Sequence, residues 1–87
     1  MPYIKQEERA RLDAAIDALA AALPREKFAG HLNYVVSRLC AALLEPRSYA
    51  RMNELVGALE CAKLELYRRV AAPYEDAKAR ENGDVYP

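Results

Sequence analysis

The chain has 87 residues, of which 53% are hydrophobic and 30% are charged. Its 13 basic and 13 acidic residues give a formal net charge of +0 at pH 7, which excludes a general electrostatic attraction to nucleic acids or anionic membranes. The length predicts a single domain over residues 1–87, and a composition rich in alanine but without threonine or tryptophan favours helices over strands.

The sequence predicts neither a membrane span nor a metal site. No apolar run reaches the roughly 18 residues that a spanning helix needs, and the first residues contain no hydrophobic signal segment, so we expect a cytoplasmic protein. Cys40 and Cys61 lack CxxC spacing and are interpreted as two small buried thiols. A disulfide between them would require their Cα atoms to lie within ~7 Å. With one histidine in the chain, we predict no metal and no cofactor.

Three main helices are predicted from the hydrophobic period and from the positions of the prolines. Pro24 and Pro46 each end a helical pattern, because proline cannot continue the backbone hydrogen bonding. Ser48 is expected to cap the third helix, since its hydroxyl can accept a hydrogen bond from the first turn. The predicted helices cover residues 5–23, residues 31–45, and residues 49 to 71 or 72.

Pro73 is expected to bend or break the third helix, because its ring would clash with the carbonyl group four residues earlier. A short last helix follows over residues 74–82, and Gly83 is predicted to end it in a left-handed conformation. Residues 83–87 form a carboxyl-terminal tail. The predicted fold class is therefore all-α, a small bundle of three main helices with a short helix after the Pro73 kink.

The third helix carries two apolar surfaces. One stripe is expected to build the core, and on another face lie Gly57, Cys61 and Leu64, which we call the small-residue ridge. A glycine inside a helix costs about 0.5–1 kcal/mol relative to alanine, but it permits close approach of a second helix. We predict that the ridge is the interface of a homo-oligomer, a dimer or larger. The alternative is that the first helix of the same chain covers it.

Cations and aromatic rings are concentrated where the third helix ends. Glu65 and Arg69 have the i,i+4 spacing of an ion pair, whereas Arg68 has no evident partner along the helix. Arginine binds phosphate with two hydrogen bonds, and aromatic rings stack on bases, so the pattern predicts a site for a small anion. Ordinary ion pairing at a helix end is the alternative. The predicted ligand-binding residues are Arg68, Arg69, Tyr67, Tyr74, Lys78, Asn33, Tyr34 and Arg38.

Several short motifs occur in a fixed order along nearly the whole chain. After the opening MPYI, they are GHLNY at 30–34, GALE at 57–60, ELYRR at 65–69, PYE at 73–75 and NGDVY at 82–86. In these motifs the chain resembles a family of small uncharacterised proteins of bacteria and bacteriophages. The resemblance implies no activity or catalytic residue, but it marks polar residues to test first. These are Asn33, Tyr34, Glu60, Arg68, Arg69, Tyr74 and Asp84.

A second comparison is with the all-α nucleotide pyrophosphohydrolases of the MazG type, which hold magnesium with carboxylates at ExxE and ExxD spacing. Glu60 and Glu65 point about 140° apart on a helix, and Glu54 and Glu65 are about 16 Å apart along its axis. The sequence therefore departs from that pattern within one subunit, although a site assembled between subunits stays open.

We therefore expect a non-enzymatic helical oligomer that binds a small anionic, nucleotide-like ligand. In a bacteriophage, such a protein would sequester a nucleotide signal of host defence, an idea that comes from the genomic setting of the similar family. No catalytic residue is assigned, because neither cysteine has a partner that the sequence places beside it. The first alternative is a protein-interaction module acting through the ridge, and the less favoured second alternative is a MazG-like hydrolase.

Overall fold

A computed structural model describes residues 2–87, and helices are the only regular secondary structure in this part of the chain. The all-α fold class predicted from composition and pattern is confirmed. Met1, the first residue of the predicted domain, lies outside the described residues. The helices are α1, Gln6–Ala22; α2, Ala29–Leu43; α3, Tyr49–Leu66; and α4, Ala72–Asn82, with a π-helical segment, Tyr67–Ala71, joining α3 to α4.

Local sequence signals account for the carboxyl-terminal end of α1 and the start of α3. Leu23 has an extended backbone, with φ −84° and ψ 142°, as expected for a residue that precedes a proline, and α1 ends just before it. At the start of α3, the backbone N–H of Arg51 donates a hydrogen bond of 3.1 Å to the hydroxyl of Ser48. The predicted cap at Ser48 is therefore confirmed.

Helical structure continues across Pro73 because the preceding turn is wider than an α-helical turn. The backbone N–H of Ala72 donates to the carbonyl of Tyr67, five residues earlier instead of four. Since Pro73 lacks an N–H and its ring would meet the carbonyl of Arg69 in a regular α-helix, the π-helical segment is the physical accommodation of this proline. The helix therefore does not break at Pro73, as one of the two expected outcomes had it, and α4 begins directly after the π-helical segment.

Gly83 ends α4 in a conformation that differs from the predicted one. Its N–H donates to the carbonyl of Ala79 at 2.9 Å, which closes the last turn. Its φ of 95° is positive, as predicted, but its ψ of 136° lies outside the left-handed helical region. The predicted left-handed cap is therefore wrong, although the position needs a glycine because a side chain is strained at this φ.

The chain divides into two compact units, Pro2–Leu55 and Val56–Pro87, which we call the amino-terminal and carboxyl-terminal units. The single domain over residues 1–87 stays a prediction. The amino-terminal unit contains α1, α2 and the first turns of α3. The carboxyl-terminal unit contains the rest of α3, the π-helical segment, α4 and the tail.

None of the described residues in either unit is buried. Ile16 on α1 and Leu39 on α2 are each 55% exposed, and Val56 on α3 is 66% exposed. The expectation that the apolar stripes form a core within one chain is therefore wrong. The thiols follow the same pattern, since Cys40 is half-buried, Cys61 is exposed and both are free, which corrects their interpretation as buried. Within residues 2–87, no helix has the length and apolar character to cross a membrane.

Candidate functional site

Glu65 pairs with a different arginine from the one expected. The Nη2 atom of Arg68 lies 2.6 Å from Oε1 of Glu65, a carboxylate whose side chain is only 17% exposed. The guanidinium group of Arg69, the predicted partner, forms no side-chain hydrogen bond or ion pair among residues 2–87. The predicted pairing of Glu65 with Arg69 is therefore wrong. Arg68, for which the sequence predicted no partner, is the arginine that pairs with Glu65.

The end of the carboxyl-terminal unit contains a surface groove of about 490 Å³. Tyr67 and Lys78, both predicted ligand contacts, line it together. The groove is also lined by the carboxylates of Glu75, Asp76 and Asp84, so acidic groups outnumber the single lysine. This balance of charge disfavours an anion inside the groove.

Lys78 also makes contacts outside the groove lining. Its Nζ lies 5.7 Å from the centre of the Tyr74 ring, a cation–π distance, and 3.6 Å from a carboxylate oxygen of Glu81. The predicted contacts Tyr74 and Lys78 are therefore brought together by their i,i+4 spacing on α4. The positive charge of Lys78 is partly balanced by the carboxylate of Glu81 on the same helix.

In the amino-terminal unit, α2 joins two further predicted contacts. The Nη1 of Arg38 donates a hydrogen bond of 2.7 Å to the hydroxyl of Tyr34, and its guanidinium carbon lies 5.7 Å from the centre of that ring. Among residues 2–87, no carboxylate lies within 4.0 Å of the Arg38 guanidinium. The Arg38 guanidinium group is therefore oriented by a neutral partner, and no carboxylate among residues 2–87 balances its charge. Asn33, the neighbouring predicted contact, is exposed.

A shallow recess of about 300 Å³ borders this pair. Its walls are mostly apolar and come from the end of α1 and the first turns of α2. Sequence reasoning missed it as a site, but the i, i+3, i+7 spacing of His31, Tyr34 and Arg38 marked one flank of α2 as polar and aromatic. The lining residues are Leu23, Gly30, His31, Tyr34 and Val35.

Residues 2–87 contain no group of three or more histidine, cysteine, aspartate or glutamate side chains placed to hold a metal ion. The family model described as a domain of unknown function, DUF6899, matches residues 1–85. The chain belongs to the DUF6899 family. No curated protein and no solved structure matches it. The DUF6899 match covers every predicted site residue, and the bacterial or bacteriophage origin stays a prediction.

The small-residue ridge of this DUF6899 chain lies open. A Cβ atom added at Gly57 would meet nothing within 4 Å. Cys61 is exposed, and Leu64 is 55% exposed. The ridge is therefore exposed within the carboxyl-terminal unit, and the oligomer interface and its coverage by α1 both stay predictions.

Proposed function

We propose that this chain is a non-enzymatic helical homo-oligomer that binds a small anionic, nucleotide-like ligand in the cytoplasm. The observation that carries the proposal is the absence of any buried residue among residues 2–87. Each of the main helices instead exposes large apolar side chains to water. Burial of such side chains is the dominant favourable contribution to folding, so this chain needs a partner surface to become stable.

A second copy of the chain is the proposed partner, because most soluble oligomers are homo-oligomers in which one surface patch meets the same patch of the other subunit. The open small-residue ridge at Gly57, Cys61 and Leu64 is the proposed centre of the interface.

The ligand-binding part is supported by two arginines that no carboxylate balances among residues 2–87, one of which lies beside a tyrosine ring. Arg38 has this arrangement on α2, and Arg69 lies within the π-helical segment without a carboxylate within 4.0 Å among residues 2–87. Such groups bind phosphate through paired hydrogen bonds. In a bacteriophage, an oligomer of this kind would sequester a nucleotide signal of host defence, as the family resemblance suggested.

A second candidate function is a protein-interaction module in which the same apolar surfaces bind a different protein. The exposure of Val56 and Leu64 on α3 favours it equally, because an open apolar face does not select its occupant. The two candidates differ in whether the purified chain associates with itself and whether anions stabilise it.

Thermal unfolding with mono-, di- and cyclic nucleotides tests the ligand. A nucleotide that binds the folded state should raise the melting temperature with concentration, by the equivalent of about 2.7 kcal/mol at 100 times its Kd. The matching nucleosides and sodium chloride at equal ionic strength are the controls. If no nucleotide shifts the melting temperature beyond those controls, the ligand-binding function is rejected. Magnesium-dependent release of phosphate would indicate the MazG-like hydrolase instead.

A further inference from the structure

We propose that the ligand site lies on α2, where Arg38 and Tyr34 border the apolar recess. The ligand class is a molecule that joins one planar ring to a phosphate group, as a mononucleotide does. This inference rests on the proposed ligand binding and names its site. The ring enters the recess, and the phosphate meets the guanidinium group at its edge.

The charge of Arg38 alone does not select this site, because other basic residues also lack a carboxylate partner. Arg38 differs from these other basic residues in its contact with Tyr34. The Tyr34 hydroxyl accepts one N–H of Arg38 at 2.7 Å, which orients the planar guanidinium group without neutralising it. Arginine carries five N–H donors, so the remaining donors are available to a phosphate. A guanidinium group that is already oriented loses less conformational freedom on binding than a mobile side chain does.

The recess supplies the apolar half of the site. Its volume of about 300 Å³ is at the lower limit of ordinary ligand pockets, which fits one ring system rather than a dinucleotide. Leu23 and Val35 offer apolar contact, and Tyr34 belongs to both halves because it lines the recess and holds Arg38. Bases stack on aromatic rings with little dependence on sequence, and each such contact contributes about 1–3 kcal/mol.

The groove in the carboxyl-terminal unit is larger but fits a phosphate less well. Three of its lining residues, Glu75, Asp76 and Asp84, are acidic and would repel an anion. Arg68 is balanced by Glu65 at 2.6 Å, so it has less charge to offer.

Arg69 also lacks a carboxylate partner, but within residues 2–87 no side-chain hydrogen bond or ring contact orients its guanidinium group as Tyr34 orients that of Arg38. The anion is therefore assigned to α2 rather than to the two arginines of the π-helical segment.

Two variants of the full-length chain test the two halves of the site separately. Arg38→Gln removes the charge and keeps a polar, though shorter, side chain. Gly30→Leu fills the recess, since a Cβ atom added at Gly30 meets nothing within 4 Å and a larger side chain has room. Arg11→Gln on α1 is the matched loss of an exposed arginine. Circular dichroism establishes that each variant keeps its helices.

Binding is measured by calorimetry with adenosine 5′-monophosphate, cyclic adenosine monophosphate, adenosine and inorganic phosphate as probes. Arg38→Gln should weaken nucleotide binding about 10- to 100-fold, the loss expected for a hydrogen bond to a charged group. Gly30→Leu should weaken binding of nucleotides and adenosine but leave inorganic phosphate unchanged. Arg11→Gln should bind all the probes as the parent chain does.

The outcomes separate this site from the general function. If the parent chain binds nucleotides and both variants bind them equally well, the α2 site is wrong while ligand binding survives. Loss of nucleotide binding in Arg11→Gln as well would show non-specific attraction and would also overturn the site. If the parent chain binds neither nucleotide, the site and the proposed ligand fail together.

Discussion

Ser48 shows how one side chain determines the start of a helix. Its hydroxyl accepts the backbone N–H of Arg51, which would otherwise have no partner within the helix. This interaction involves residues three positions apart, so the sequence alone was enough to predict it. Interactions of this range do not depend on how the rest of the chain packs.

Replacing Ser48 should measure the cap directly. Ser48→Ala should lower the free energy of unfolding by about 1 kcal/mol, because the N–H of Arg51 loses its acceptor. Ser48→Asp should keep most of the stability, since aspartate is an equally good cap. Chemical denaturation of the three proteins at one concentration measures the difference. Equal stability of Ser48→Ala and the parent chain would contradict the assigned cap.

The pairing of Glu65 with Arg68 could not be predicted in the same way. Expected pairs on a helix assume α-helical spacing, but Arg68 and Arg69 both lie in the π-helical segment, Tyr67–Ala71. A wider turn changes the angle between successive side chains, so the i,i+4 rule no longer selects the partner.

At the scale of the element, the π-helical segment separates two helices that would otherwise be one. An extra residue in a turn shifts all later side chains by about 100° around the axis. The apolar stripe of α3 therefore does not continue in register onto α4, and Val70 within the segment is 61% exposed. The position of Pro73 predicted a disturbance of the helix. A kink, a break and a wide turn can each accommodate the proline ring, so the sequence did not determine which of them occurs.

Pro73→Ala should remove the reason for the wide turn. With an N–H restored, the segment should become α-helical, and the N–H of Ala72 should donate to the carbonyl of Arg68 instead of Tyr67. Stability should rise by up to about 3 kcal/mol, the cost of a proline inside an α-helix. A crystal structure and thermal unfolding measure the two effects. Pro24→Ala, at a proline outside any helix, is the control and should leave the segment unchanged.

A structure of Pro73→Ala that retains the hydrogen bond from Ala72 to Tyr67 would contradict the prediction that the segment becomes α-helical. The wide turn would then be favoured by the surrounding residues, and the proline would only tolerate it. The same structure would also establish whether the Arg68 pairing with Glu65 depends on the turn.

At the scale of the whole molecule, the helices were predictable and their burial was not. The ends of α1 and α2 lie within two residues of the expected positions, because prolines and periodicity act locally. Tyr34 and Arg38 were predicted as contacts, but the recess beside them was missed, since it depends on where Leu23 lies after α1 ends. Hydrophobic periodicity shows that a face must be covered without showing which chain covers it.

Gly57→Leu should weaken association without preventing helix formation. Nothing lies within 4 Å of an added Cβ atom in a single chain, so the helix should form normally. A leucine on the small-residue ridge should keep a second helix at a distance and raise the dissociation constant of the oligomer at least tenfold, or about 1.4 kcal/mol. Light scattering over a range of concentrations measures this.

Gly57→Ala is the control for Gly57→Leu, because it gains helix propensity with little added volume. It should associate as the parent chain does. A parent chain that stays monomeric at high micromolar concentration would reject the oligomer, whereas an oligomer unaffected by Gly57→Leu would reject only the ridge as its interface.

The absence of buried residues among residues 2–87 also bears on how long the protein survives in a cell. Helices that bury none of their described residues leave their backbone open to proteases whenever the chain is alone. Association by mass action would then protect it only above a threshold concentration, so scarce copies would be removed and abundant copies would persist. The amount of this protein would in that way regulate its own lifetime.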